Sequence, residues 1–259
     1  MKLKDWALVV PLMMRAFVTT FRSGRKFLKI DPDMDPAARK IEEKDIAVRW
    51  AETILRELHV KAEIAGATPL EIPCIFVGNH SSYLDVIVLS LFHPVQFVAK
   101  AEIRKWPVIG KASAKAGTIF VKRESQGSKR QVAQAIREGI VRDGKQIAVF
   151  PEGTTSLAGG TWRRGIFKVA HELQIPVQAF TITYEPARRA AYIGKDHFFT
   201  HMIKLIGSGG AKARIEFAEP KLIKNLEEDV DQLENWMRSQ LWENLRKQGI
   251  DPTTGTSST

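Results

Sequence analysis

His80 and Asp85 stand five residues apart in the stretch Asn79-His80-Ser81-Ser82-Tyr83-Leu84-Asp85, and an imidazole steadied by a carboxylate is a general base. The stretch follows an apolar run, residues 73–78, that reads as a buried strand, and opens onto Val86 to Phe92, which reads as a buried helix. The pair therefore sits on a strand-to-helix turn, where the free N–H groups of the helix favour a neutral imidazole and can receive an anion. Within an ideal helix, residue 85 would lie about 140° round from residue 80, so His80 must precede the helix for the side chains to meet. Asp85 then holds one ring nitrogen and fixes tautomer and orientation, with a substrate hydroxyl in the place a serine takes in a triad. Ser81 and Ser82 are nucleophiles by type, but no Gly-x-Ser-x-Gly elbow is present and no acyl-serine is expected. Taken alone, a capping histidine and a first-turn aspartate, each worth about one kcal/mol or less, would account for the same residues.

A second, distant stretch, Val149-Phe150-Pro151-Glu152-Gly153-Thr154-Thr155-Ser156, also follows an apolar strand. Together the two resemble the glycerolipid acyltransferase family, whose members acylate glycerol phosphate and lysophosphatidic acid. The first stretch matches the family's His-four-residues-Asp motif. Gly117-Thr118-Ile119-Phe120-Val121-Lys122-Arg123 matches the second block and Phe150 to Thr154 the third. Residues 98–103 and 106–110 are also similar to the family; a fainter fourth block, Ile175-Pro176-Val177, has Ala179 where many members carry a second proline. The resemblance covers roughly residues 60–220.

The resemblance implies transfer of a fatty acyl group from acyl-CoA or acyl-carrier protein to the free hydroxyl of 1-acyl-glycerol-3-phosphate, giving phosphatidic acid. It makes His80 the base and Asp85 its orienter. Lys100 and Arg123, both at strand ends in motif positions, are the expected cations for the acceptor phosphate, Arg as a bidentate partner and Lys as a point charge. Glu152 would repel a phosphate; it either binds the acceptor's free hydroxyls or holds Arg123, and similarity to the family puts it in the acceptor pocket. Gly153 and Thr154 offer backbone N–H groups and a hydroxyl beside it. No metal and no cofactor other than the acyl-donor substrate is expected. The same chemistry on another lysolipid, such as lyso-ornithine lipid, is a close rival, because the Trp106-Pro107 region resembles that branch as well.

The net charge of +10 and pI near 9.7 call for anionic partners. A non-catalytic basic protein lying on membranes would share that charge, whereas nucleic acid is not expected because no aromatic-basic motif is evident. The one cysteine, Cys74, sits in an apolar run and excludes an internal disulfide. His197 and His201 have the spacing of a helical metal pair, but Phe198 stands where the zincin motif has Glu and no third ligand follows. Gly207-Ser208-Gly209-Gly210 lacks a following Lys-Ser/Thr and reads as a turn. Trp162-Arg163-Arg164 either faces acidic headgroups or solvates a helix start.

The elements that must position these residues follow from periodicity. From residue 60, strands and helices alternate, which predicts an α/β domain over 60–250 with a mostly parallel or mixed sheet flanked by helices. Strands are expected at 60–65, 73–78, 95–99, 117–122, 146–150, 176–183 and 212–218, and helices at 82–92, 108–115, 127–142, 163–173 and 227–247. Ahead of the domain, residues 1–59 should form two amphipathic helices that dock on an anionic membrane surface, similar to the pair in bacterial members of the family. Lys4, Arg15, Arg22, Arg25, Lys26 and Lys29 flank the apolar residues of the first helix, and Ile46, Trp50, Ile54 and Leu58 form the stripe of the second. A first helix packed on the domain's own core is the other reading. No uncharged run is long enough to span a bilayer, and Pro11 interrupts the N-terminal one. No small-residue cleavage site follows it, so no signal peptide is expected, and the protein should lie on the cytoplasmic face of the cell membrane as a monotopic or peripheral enzyme. Residues 251–259 have no apolar anchor and are expected to be a flexible tail.

Overall fold

The computed structural model describes residues 3–106, 109–121, 126–141 and 144–254. The chain opens with two long helices, α1 (Leu3–Lys29) and α2 (Pro36–Glu57). Asp35 caps α2, accepting from the N–H groups of Ala37 and Ala38 at 3.0 Å, and Pro36 supplies the preset first helical residue. The body then runs β1 (Val60–Gly66), β2 (Cys74–Gly78), α3 (Leu84–Phe92), β3 (Gln96–Lys100), a 3-10 helix (Ala101–Lys105), α4 (Ile109–Lys115), β4 (Ile119–Val121), α5 (Gln126–Val141) and β5 (Gln146–Val149). It continues with α6 (Gly165–Leu173), β6 (Pro176–Glu185), α7 (Ala187–Ala190), α8 (Phe198–Gly207), β7 (Ala211–Phe217), β8 (Lys221–Leu222) and α9 (Leu226–Lys247).

The strands form one mixed sheet in the order β1-β7-β6-β2-β5-β3-β4, with β8 on β6. All pairings are parallel except β6 with β7 and β6 with β8. Period-two alternation divides the core between the two faces. Cys74, Phe76, Phe180, Ile182 and Tyr184 point to one face, against α2, α3 and α8. Ile75, Val77, Val177 and Ala179 point to the other, against Phe167 of α6 and Val230, Leu233, Met237 and Leu241 of α9. β2 is buried throughout, so its sequence is a continuous apolar run.

Most expected elements fall within two or three residues of those observed. Four pieces were not expected: the 3-10 helix, α7, α8 and β8. α8 falls in the stretch containing His197 and His201, and its apolar side, Met202, Leu205 and Ile206, is buried against the core. His201 is taken up by packing: its ring nitrogens lie 3.2 Å from the Tyr83 hydroxyl and 2.8 Å from the Ala191 carbonyl oxygen, which accepts. The chain does not break at Pro11, because α1 is one helix through it. α1 also packs on the body as well as presenting an outer face. Val9 and Ala16 join the core cluster shared by α2 and the sheet, Trp50 Nε1 donates to Thr20 at 3.1 Å, and Lys115 Nζ of α4 donates to the Leu28 and Ile30 carbonyls where α1 ends.

Candidate active site

β2 lies between β5 and β6, and the chain leaves all three at one edge of the sheet, the edge where open α/β sheets gather ligands. Gly78 ends β2 because nothing larger fits: a Cβ there would lie 2.4 Å from the ring of Phe180. Asn79 carries the ladder one residue further with its side chain. Its amide exchanges two 2.8 Å hydrogen bonds with the backbone of Ile182 on β6, and it is wholly buried. The turn that follows is thereby pinned to the sheet.

On this turn His80 precedes α3 and Asp85 lies in its first turn, as the spacing requires. His80 Nδ1 is 2.8 Å from Asp85 Oδ2. The same oxygen accepts the N–H groups of Ser81 and Ser82, at 2.7 and 2.9 Å. Its other oxygen, Oδ1, accepts from the Tyr184 hydroxyl at 2.6 Å. The Asp85 side chain is wholly buried, whereas 20% of the His80 side chain is exposed, so the imidazole is the part of the pair that a substrate can reach. Nε2 has no partner among the described residues. Ser81 and Ser82 are themselves 3% and 0% exposed, which removes them from any contact with an acyl donor in this arrangement.

The third block locks onto the first. Phe150 stacks on the His80 ring, with centroids 4.2 Å apart and planes 13° from parallel, and Phe180 meets Phe150 edge-on. Glu152 is turned inward and 5% exposed. One of its oxygens accepts the His80 backbone N–H at 3.3 Å and the other the Ser156 hydroxyl at 2.7 Å, while the Ser156 N–H donates to the His80 carbonyl at 2.8 Å. Both backbone groups of His80 are thus held by the loop after β5. Burial pushes the Glu152 carboxyl up to about 6, although the donors from Ser156, Gly160 and His80 pull the other way.

The remaining expected residues spread along the same edge. Gly153, at φ +74°, donates its amide to the Phe150 carbonyl at 3.0 Å, so that amide is used within the turn. The Thr154 side is exposed. Lys100 ends β3, two strands from β2 and so roughly 10 Å along the edge, exposed and without an ion pair among the described residues. Arg123 lies outside the described residues, two positions past the end of β4. Two residues emerge that the sequence reading did not place here. The Arg163 guanidinium lies over Gly153, 3.2 Å from where a Cβ would stand, exposed and unpaired among the described residues, whereas its neighbour Arg164 is paired with Asp231. Tyr184 shares the inward face of β6 with Phe180 and Ile182, and its position on the sheet side of Asp85 is a long-range contact that no local pattern signals.

Known proteins share the sequence and the fold of this chain. The sequence profile of the Acyltransferase family matches residues 56–183, which span both motifs. A lyso-ornithine lipid O-acyltransferase of Pseudomonas aeruginosa is 32% identical over 177 residues, covering 66% of this chain and 67% of that protein. A 1-acyl-sn-glycerol-3-phosphate acyltransferase of Neisseria meningitidis serogroup B is 29% identical over 182 residues, covering 68% and 69%. The fold matches that of the 1-acyl-sn-glycerophosphate acyltransferase PlsC of Thermotoga maritima, with a TM-score of 0.69 over 93% of this chain and 97% of that one, at 20% identity. With a buried carboxylate behind a reachable imidazole and relatives of this length and identity, the chain belongs to the acyltransferase family and is an O-acyltransferase.

Proposed function

We propose that the protein acylates a lysolipid, with 1-acyl-glycerol-3-phosphate as acceptor, acyl-CoA or acyl-carrier protein as donor and phosphatidic acid as product. The observation that carries this reading is the 2.8 Å contact of His80 Nδ1 with a buried Asp85, which leaves Nε2 free on a reachable ring. The acceptor hydroxyl gives its proton to Nε2 as its oxygen attacks the thioester carbonyl. The tetrahedral adduct collapses, the C–S bond breaks, and the imidazolium returns the proton to the departing thiolate. Asp85 orients the ring and balances its transient positive charge. No covalent enzyme intermediate is needed. Lys100 and Arg163 supply positive charge for an anionic headgroup along the same sheet edge, and Arg123, from the second sequence block, is the further cation the reading assigns to it. Glu152 acts through His80, by holding its backbone, and borders the acceptor site.

The outer face of α1 supports a place at the membrane. Val10, Met14, Phe17, Val18 and Phe21 are exposed, and a groove of ≈ 600 Å³ runs along this face between Met14, Phe17 and Phe21 and the cations Arg22, Arg25 and Lys29. The groove is lined by α1 and contains no motif residue, which supports reading it as a lipid-facing surface apart from the reaction pocket. No helix among the described residues is long and apolar enough to cross a bilayer. We place this face on the cytoplasmic leaflet, where acyl thioesters are available.

A second reading keeps the mechanism and changes the acceptor to lyso-ornithine lipid, as the name of the Pseudomonas relative suggests. The test is a panel of lysophosphatidic acid, glycerol 3-phosphate, lyso-ornithine lipid and other lysolipids, each offered with labelled acyl-CoA and acyl-carrier protein to purified protein. Acylation of lysophosphatidic acid is expected, with His80→Ala lowering the rate on the order of 10² or more. Acylation of the aminolipid alone would move the acceptor to the second reading, and full activity in His80→Ala would remove the mechanism.

A further inference from the structure

We infer that Tyr184 is a positioning residue for the acyl transfer, acting through Asp85 on the base without touching either substrate. The inference rests on the reading of His80 as base and extends it to a residue outside every motif.

The four donors to Asp85 are unevenly placed. Three of them, His80 Nδ1 and the N–H groups of Ser81 and Ser82, converge on Oδ2. Among the described residues Oδ1 has Tyr184 alone, at 2.6 Å. The carboxylate, in the first turn of α3, is wholly buried and Tyr184 is 4% exposed, so this hydrogen bond lies away from bulk solvent. The phenol is fitted to donate: burial, and then the adjacent Asp85, hold its ionisation well above the ordinary value, which keeps the proton on the oxygen. Two consequences follow. Gripped at both oxygens, the carboxylate cannot turn about its own bond, so Oδ2 stays in line with the imidazole. The hydroxyl also draws charge toward Oδ1 and sets how strongly Asp85 pulls on the protonated ring.

The backbone at Tyr184 is fixed independently of that hydroxyl. β6 pairs with β7 through Tyr184 and Ala213, and Gln248 Nε2 donates to the Tyr184 carbonyl at 2.8 Å. Removing the oxygen alone should therefore leave the strand in place. Among the described residues, Asp85 and Glu152 act on His80, from α3 and from the loop after β5, and Asp85 and Tyr83 act on Tyr184.

The test is Tyr184→Phe in the full-length enzyme, assayed across pH with the acceptor and donor that the panel identifies. We expect kcat to fall on the order of tenfold with both KM values nearly unchanged, since the loss lies at the base and not in substrate binding. The acidic limb of kcat/KM should move to higher pH, because a carboxylate relieved of a donor holds the imidazolium more tightly. Replacing Tyr184 by 3,5-difluorotyrosine keeps the shape and strengthens the donor, so the limb should move the opposite way; this arm decides the matter if Tyr184→Phe does not fold. A third arm places Tyr184→Phe on Asp85→Asn, where it should cost nothing further. Superimposable pH profiles for native and both Tyr184 variants, or a full additional loss on Asp85→Asn, would overturn the inference while leaving the base intact. Full activity of His80→Ala would instead remove the reading on which it stands.

Discussion

Glu152 is held inward, its oxygens taken by the His80 amide and the Ser156 hydroxyl. A carboxyl pushed up from 4.5 to about 6 by burial binds protons in the folded state over a range where the unfolded chain has already lost them. Folding stability therefore falls as pH rises from 4.5 to 6, by about 2 kcal/mol in total at 1.36 kcal/mol per unit, and stays at the lower level above that range. Glu152→Gln has no such titration, and the Ser156 hydroxyl can rotate to accept from the new amide. Urea unfolding of native protein and variant at several pH values should show native stability dropping relative to Glu152→Gln across that window. A difference that is flat with pH would mean that the carboxylate is solvated in the folded protein.

At the scale of elements, the turn that carries His80 depends on close contacts between β2, β6 and the loop after β5. Gly78 admits the Phe180 ring, Phe180 meets Phe150 edge-on, and Phe150 stacks on His80. Gly78→Ala would force a Cβ to within 2.4 Å of a fully buried ring. Overpacking of this kind costs about 1–3 kcal/mol, and here the displaced ring is one contact removed from the imidazole's stacking partner. We expect a lower melting temperature together with a fall in kcat of several-fold; unchanged kcat in a destabilised variant would show that the aromatic chain does not hold the base. Much of this layer was legible in sequence. The apolar run of residues 73–78 gave β2, and the five-residue spacing placed His80 ahead of α3, because only that arrangement lets the pair meet. Tyr184 was not legible, since strand alternation marks it as one more core residue and its bond to Asp85 joins positions 99 apart. α8 is short, and the contacts of Met202, Leu205 and Ile206 that pack it on the core are likewise long-range. Arg163 was visible only as a basic residue near a helix start, and nothing local shows that it lies over Gly153.

For the whole molecule, α1 has to reconcile two surfaces. Its inner side, with Val9, Ala16 and Phe27, is buried with the body, and its outer side carries Met14, Phe17, Val18 and Phe21, each at least 41% exposed. Half-exposed phenylalanines have roughly 1 kcal/mol each left to gain from lipid, which alone would give weak attachment. Arg22, Arg25, Lys26 and Lys29 beside them add about 1 kcal/mol apiece near an anionic leaflet, so charge should contribute at least as much as burial. Binding should accordingly be strong on vesicles containing anionic phospholipid, weaker on neutral ones, and reduced as salt shortens the screening length. Phe17→Glu with Phe21→Glu places two like-charged groups against that leaflet on a face that no core residue shares. In vesicle co-sedimentation the double variant should lose at least tenfold in partitioning while circular dichroism and turnover of a detergent-dispersed acceptor remain native. Equal partitioning onto neutral and anionic vesicles would remove the contribution of charge, and native binding by the double variant would show that this face of α1 does not serve the membrane.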